Sequence, residues 1–144
     1  MQQQNYENHR RLVPLYHFVS SILLLAILIG SCINLFKTMG SDSGVYSASL
    51  IAALAVVLSI LYYYIRDFPL KAQDRAIRAE ENLRHFAMTG KLLDPKLTMR
   101  QIIGLRFASD KEFLDLCKQA VKKNMSEKEI KRAIKEWRPD LHRA

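Results

Sequence analysis

Two stretches, residues 12–36 and 43–65, contain no Lys, Arg, Asp or Glu, and that property decides most of what the chain can become. Each is longer than the ~20 residues a helix needs to cross about 30 Å of hydrocarbon. In that solvent only a helix or a closed barrel satisfies its own backbone groups. The linker between them is short, so the second helix must return antiparallel to the first. The expectation is a transmembrane helical hairpin with both ends on one side.

Charge tells which side. The chain carries 22 Lys and Arg against 14 Asp and Glu, a formal net charge of +8. Nearly all of this excess lies beyond Ile65, whereas the linker K-T-M-G-S-D at residues 37–42 holds one charge of each sign. The positive-inside rule then places the basic tail, and with it the amino terminus, in the cytoplasm. His9, Arg10 and Arg11 abut the first span and hold that edge at the same surface. A basic segment beside a bilayer also attracts anionic lipid.

Within the spans, a few residues bear on packing or chemistry. Pro14 falls in the first turn of a helix, where a missing N–H costs little. His17 lies about one turn deep; it reads as an interfacial histidine, with a proton-relay role as the functional alternative. Ala48, Ala52, Ala55 and Ser59 align on one face of the second span, and small residues let helices approach closely in lipid. Packing against the first helix and self-association of the hairpin both use such a face. Tyr62, Tyr63 and Tyr64 close the span as an aromatic belt. Ile29-Gly30-Ser31-Cys32 loosely fits a lipoprotein cleavage site, but the apolar run continues through it, so no processing at Cys32 is expected.

Beyond the hairpin the sequence changes character. Residues 66–90 read as a charged juxtamembrane helix, kinked or restarted at Pro69 and stopped at Gly90. Ala72, Ala76, Ala79, Leu83 and Phe86 recur at alternating spacings of four and three, the rhythm of a two-helix seam. This seam is the expected interaction surface, covered either by the tail or by another subunit. Asp74 with Arg78, Glu80 with Arg84, and Glu81 with His85 form acid-before-base pairs four apart, a self-paired charged face.

Residues 91–144 carry three capping boxes: Thr98 with Gln101, Ser109 with Glu112, and Ser126 with Glu129. They predict helices over residues 99–106, 110–123 and 127–138, the last stopped by Pro139. Ile102, Ile103 and Phe107, then Phe113, Leu116, Ala120 and Val121, then Ile130, Ala133, Ile134 and Trp137 supply the stripes of a small common core. A unit this small is expected to dock on the helix before it. Lys128, Lys131, Arg132 and Lys135 make a basic face on the last helix, read as solvated, as a contact for lipid headgroups, or as a nucleic-acid surface. The last is disfavoured by a membrane tether and by joints without a glycine turn.

The architecture expected is therefore all-α. A polar segment (1–11) precedes the hairpin (12–65), the charged helix (66–90) and a cytoplasmic three-helix tail (91–144). The order Q-D-R-A-I-R-A-E-E-N-L-R at residues 73–84, L-R-F-A-S-D at 105–110 and I-K-R-A-I-K-E-W-R-P-D at 130–140 resembles a family of small bacterial two-span membrane proteins, a domain of unknown function. The resemblance implies the bacterial inner membrane and brings no catalytic residue, ligand or partner with it. No nucleophile with a base, phosphate-cradling loop or Cys/His cluster stands in the sequence, so neither enzymatic activity nor a metal or cofactor is expected. Asp74, Arg75, Arg78 and Glu81 are the clustered polar residues an enzyme would have to use. The reading that follows is a membrane-anchored interaction or scaffold protein, partnered by membrane lipids and by a second copy or another membrane protein. An accessory subunit of a transporter or channel is the alternative, weakened by the absence of charge within the spans.

Overall fold

The uncharged stretches are helical, with Ser21, Ser31 and Ser59 donating back to the carbonyls of His17, Leu28 and Ala55, and the computed structural model describes residues 5–8, 12–40 and 43–140. The expected Arg10 and Arg11 anchors, and the Ser41 and Asp42 part of the turn, lie outside the described residues. Among the described residues the chain is helical without strands. The α-helices are α1 (Ser21–Thr38), α2 (Val45–Thr89), α3 (Met99–Leu105), α4 (Asp110–Lys123) and α5 (Glu127–Ala133), with a π-helical stretch, Leu15–Ser20, leading into α1. Two compact units result. One is Leu12–Phe68; the other joins the described parts of Met1–Arg11 and of Pro69–Ala144.

In the first unit α1 and the first part of α2 form the hairpin. Ala48 and Ala55 are buried to 1% exposure, Ala52 and Ser59 are half-buried, and Ser31 is the buried residue of α1. Ala48, Ala52, Ala55 and Ser59 thus turn inward, while Ser47 and Ala53 face out. At the other end of the pair, the Tyr16 hydroxyl donates to the Tyr62 carbonyl at 2.8 Å, and the Tyr62 hydroxyl donates to the Tyr16 carbonyl at 2.7 Å. Their rings stack with centroids 4.6 Å apart, and Ser21 Oγ lies 2.6 Å from the Tyr62 hydroxyl. Single-turn π geometry displaces carbonyls from the regular ladder, and Tyr16, within the π-helical stretch, is the residue whose carbonyl is taken up from outside.

The helix α2 does not restart at Pro69, which lies inside it. Proline removes one backbone donor, and the good helix formers Leu70, Lys71, Ala72 and Gln73 carry the helix on. It ends at Gly90, whose φ of +71° is the left-handed conformation that glycine adopts without penalty.

The second unit has an apolar interior. Phe107, Phe113, Ile102, Leu105 and Ile130 are fully enclosed, and Leu93, Leu97, Leu116, Ala120 and Ile134 surround them. Ile77 of α2 belongs to the same cluster, so the three short helices fold onto this part of α2. Gly104 lets α3 approach α5: a Cβ there would stand 3.2 Å from Ile130 Cγ2 and 3.3 Å from the Glu127 carbonyl.

Two of the three capping boxes form as expected, at Thr98 with Gln101 and at Ser126 with Glu129. Gln101 does more: its amide donates to the Met125 carbonyl at 2.9 Å, tying the α4–α5 corner to the start of α3. The third box does not form. The Glu112 carboxylate instead accepts from the backbone amides of Lys135 and Glu136 at 3.1 and 3.0 Å. For the same reason α5 stops at Ala133 rather than reaching Arg138. The chain then runs back over Phe107, with Arg138 N–H donating to the Phe107 carbonyl at 2.7 Å and an antiparallel bridge between Ala108 and Trp137.

Candidate functional site

Three arrangements in the second unit bear on function: a buried set of charges on α2, an exposed apolar stripe on the same helix, and the basic residues of α5.

Glu81 is 4% exposed, and Arg84 is nearly enclosed beside it. The Arg84 guanidinium donates to Glu81 at 3.1 Å and to the Ala108 carbonyl at 2.8 Å, and it pairs with Asp110 at the start of α4. It also lies 4.1 Å over the Phe113 ring. One side chain therefore joins α2 to the α3–α4 corner and to the core. Burial pushes the Glu81 carboxyl above its ordinary range, and the Arg84 and Arg138 charges offset this only in part. Burial also pushes the nearby Cys117 thiol up to about 12, aided by the Glu81 charge, so Cys117 stays a protonated core residue rather than a nucleophile.

The acid–base pairs expected four apart are replaced by this geometry. Arg84 turns to Glu81 and Asp110 rather than Glu80, and the His85 ring nitrogen lies 2.7 Å from the Lys91 carbonyl rather than pairing with Glu81. Nor do Asp74, Arg75, Arg78 and Glu81 converge: Arg75 and Arg78 are exposed while Glu81 faces inward. A cavity of about 280 Å³ lies beside Glu81, lined also by Gln73, Ala76, Ile77, Glu80, Arg106 and Asp140 among others. Its buried charged groups are committed to structure, with Glu81 bonded to Arg84 and Arg106 paired to Asp140 at 3.0 Å and stacked 4.6 Å from the Phe107 ring, while Glu80 stands exposed at the rim. Among the described residues no group of three or more metal-ligating side chains comes together.

The expected seam is left uncovered by this contact, although Ala76 reaches the cavity beside Glu81. Ala72, Ala76, Ala79, Leu83 and Phe86 are all exposed, with Leu83 at 68% and Phe86 at 50%. Glu81 and His85 stand two residues on from Ala79 and Leu83, roughly 200° round a helix of 3.6 residues per turn. The tail thus folds on nearly the opposite face, and of the two expected covers for the seam it is not the one. Sequence periodicity missed the docking face because its members are Ile77 and two charged residues. A buried ion pair looks like solvent-facing charge until its partners are in place.

The basic face of α5 is also rearranged. Lys128, Arg132 and Lys135 are exposed, but Lys131 is 8% exposed, bonded to Glu127 at 2.6 Å and set 5.2 Å from the Phe107 ring. Burial opposes ionisation of Glu127, yet the hydrogen bond and charge of Lys131, with Arg100, hold its carboxyl below the usual range. Lys131 is therefore a packing residue and not part of a lipid-facing surface. Arg132 lies 5.5 Å over the Tyr6 ring, which brings the amino-terminal segment onto α5. In the hairpin, His17 Nδ1 sits 3.0 Å from the Val13 carbonyl, and Cys32 is exposed.

No curated protein and no solved structure matches the chain. The model of a family of unknown function, DUF6526, matches residues 1–144, and the chain belongs to that family.

Proposed function

We propose that this protein is a membrane-anchored interaction protein, whose hairpin spans the bacterial inner membrane and whose helical tail works at the cytoplasmic face. One observation carries the reading. The candidate spans Leu15–Thr38 and Val45–Thr89 have apolar windows with mean hydropathies of 2.3 and 2.2, yet only 6% and 11% of those windows are buried within the chain. A core helix of a water-soluble protein would be mostly covered. Apolar faces of this size need an apolar surrounding, and lipid supplies it. The contact of Tyr6 with Arg132, which joins the amino-terminal segment to α5, supports a topology with both ends of the chain on one side.

The role is one of binding rather than catalysis. The buried charges are consumed in holding the tail to α2, whereas the stripe at Ala72, Ala76, Ala79, Leu83 and Phe86 is left open to a partner. Alkaline carbonate extraction of membranes carrying the full chain tests the anchor. The protein should stay in the membrane pellet, and release into the supernatant would contradict the proposal.

A further inference from the structure

We infer that the occupant of the open stripe on α2 is a second copy of this chain, packed parallel to the first, with Arg75 of each copy paired to Glu80 of the other. The inference rests on the membrane-anchored reading and names its partner. It begins from the heptad frame. With Ala76 and Leu83 at a positions and Ala79 and Phe86 at d positions, Arg75 falls at g and Glu80 at the e position of the next heptad. In parallel coiled coils, g and e side chains at this offset meet across the seam and set partner and orientation. Opposite charges occupy the two positions here, so a parallel pair of identical helices gains the contact twice, once on each side.

Three observations favour this occupant. Arg75 and Glu80 are both exposed, and among the described residues neither makes an ion pair or hydrogen bond. Leu83 and Phe86 add large uncovered apolar surface to a stripe whose other members are small enough for close approach. The tail packs on Ile77, Glu81 and Arg84, and although Ala76 and Glu80 also line the cavity beside it, all five seam residues and both flanking charges are exposed. Copies inserted in one membrane with the same topology also present this helix in the same sense, so the parallel arrangement needs no reorientation.

The test is disulfide crosslinking of the full chain in membranes, with Cys32→Ser and Cys117→Ala as background. Ala79→Cys reports on the seam, and Gln119→Cys, exposed on α4, is the control. Ala79→Cys should give a dimer yield several-fold above that of Gln119→Cys. Adding Arg75→Glu or Glu80→Arg should each lower the yield several-fold, because like charges then face one another. Co-expressing these two charge variants, distinguished by tags of different size, should restore crosslinking between them, since both cross-pairs become opposite in sign. Equal yields at Ala79 and Gln119, or failure of the mixed pair to recover, would overturn the dimer. Where a charge variant fails to fold, the comparison of Ala79 with Gln119 in the unaltered background still decides. Equal yields in a chain that resists carbonate refute the dimer and leave the anchor; release by carbonate refutes the anchor itself.

Discussion

The hairpin and the helical tail are built inside out with respect to one another. In Leu12–Phe68 the inward positions are Ser31, Ala48 and Ala55 while Leu, Ile, Val and Phe face outward. In the tail, Phe107, Phe113, Leu105 and Ile130 are enclosed and most Lys and Glu, Lys131 excepted, face outward. The same physics gives both results once the surroundings differ. In water, burial of large apolar side chains drives folding at roughly 25 cal/mol per Å². In lipid that drive vanishes between helices, and close packing of small residues with a few hydrogen bonds takes its place. On the proposed membrane reading, the reciprocal Tyr16–Tyr62 clasp belongs to the second regime, and the Phe107–Phe113 core to the first.

Substitutions that exchange the two regimes test the contrast. The largest effect is expected at Arg84→Ala, which leaves Glu81 buried with only the half-exposed Arg138, 3.9 Å away, to compensate it. The tail should lose about 3 to 5 kcal/mol, measured as faster proteolysis of the tail in detergent-solubilised protein. Replacing the pair by Glu81→Leu with Arg84→Met should recover most of that loss. In the hairpin the corresponding change is Leu54→Arg, at mid-span on the outward face. It should cost about 3 kcal/mol of insertion free energy, read as the inserted fraction in a membrane-integration assay. Gln119→Arg on the exposed face of α4 should shift tail stability by less than about 0.5 kcal/mol.

Much of this contrast is legible in the amino-acid sequence. Uncharged runs of spanning length name the hairpin, and the boxes at Thr98 and Ser126 mark two helix starts to the residue. What stays hidden depends on contacts between segments distant in sequence. Glu112 fits a capping box locally, yet the amides of Lys135 and Glu136 claim it, and this shortens α5. Lys131 reads as a surface charge, yet Glu127 and the Phe107 face bury it. The docking face of α2 is masked most completely: the apolar rhythm runs along Ala72 to Phe86, while the tail packs on Ile77 and the Glu81–Arg84 pair. Local pattern records periodicity, but the energy of a satisfied buried charge appears only when its partners have been brought together.

Smaller effects sharpen the account of the tail. Ser126→Ala removes the Oγ that accepts from the Glu129 amide and should cost about 1 kcal/mol, seen as a lowered thermal midpoint. Glu127 supplies a pH dependence whose sign follows from its depressed carboxyl pKa. The stabilisation it contributes is present above the ordinary value of 4.5 and is lost as the pH falls through the folded value. Glu81, raised by burial, acts with the opposite sign: protonation in the fold relieves its burial, so its destabilising contribution shrinks as the pH falls. Glu127→Gln should therefore flatten the acid limb of a stability profile, and an unchanged limb would remove Glu127 from the account.

The claim on which the rest depends is that the hairpin crosses the bilayer with its turn on the far side and the tail inside. It is tested by labelling single cysteines at Met39 and Lys122, in a chain otherwise free of cysteine, with a membrane-impermeant thiol reagent. Met39→Cys should label from outside the membrane and Lys122→Cys only in inverted vesicles or after permeabilisation. Labelling of Lys122→Cys from outside intact membranes, or protection of both positions there, would contradict the account.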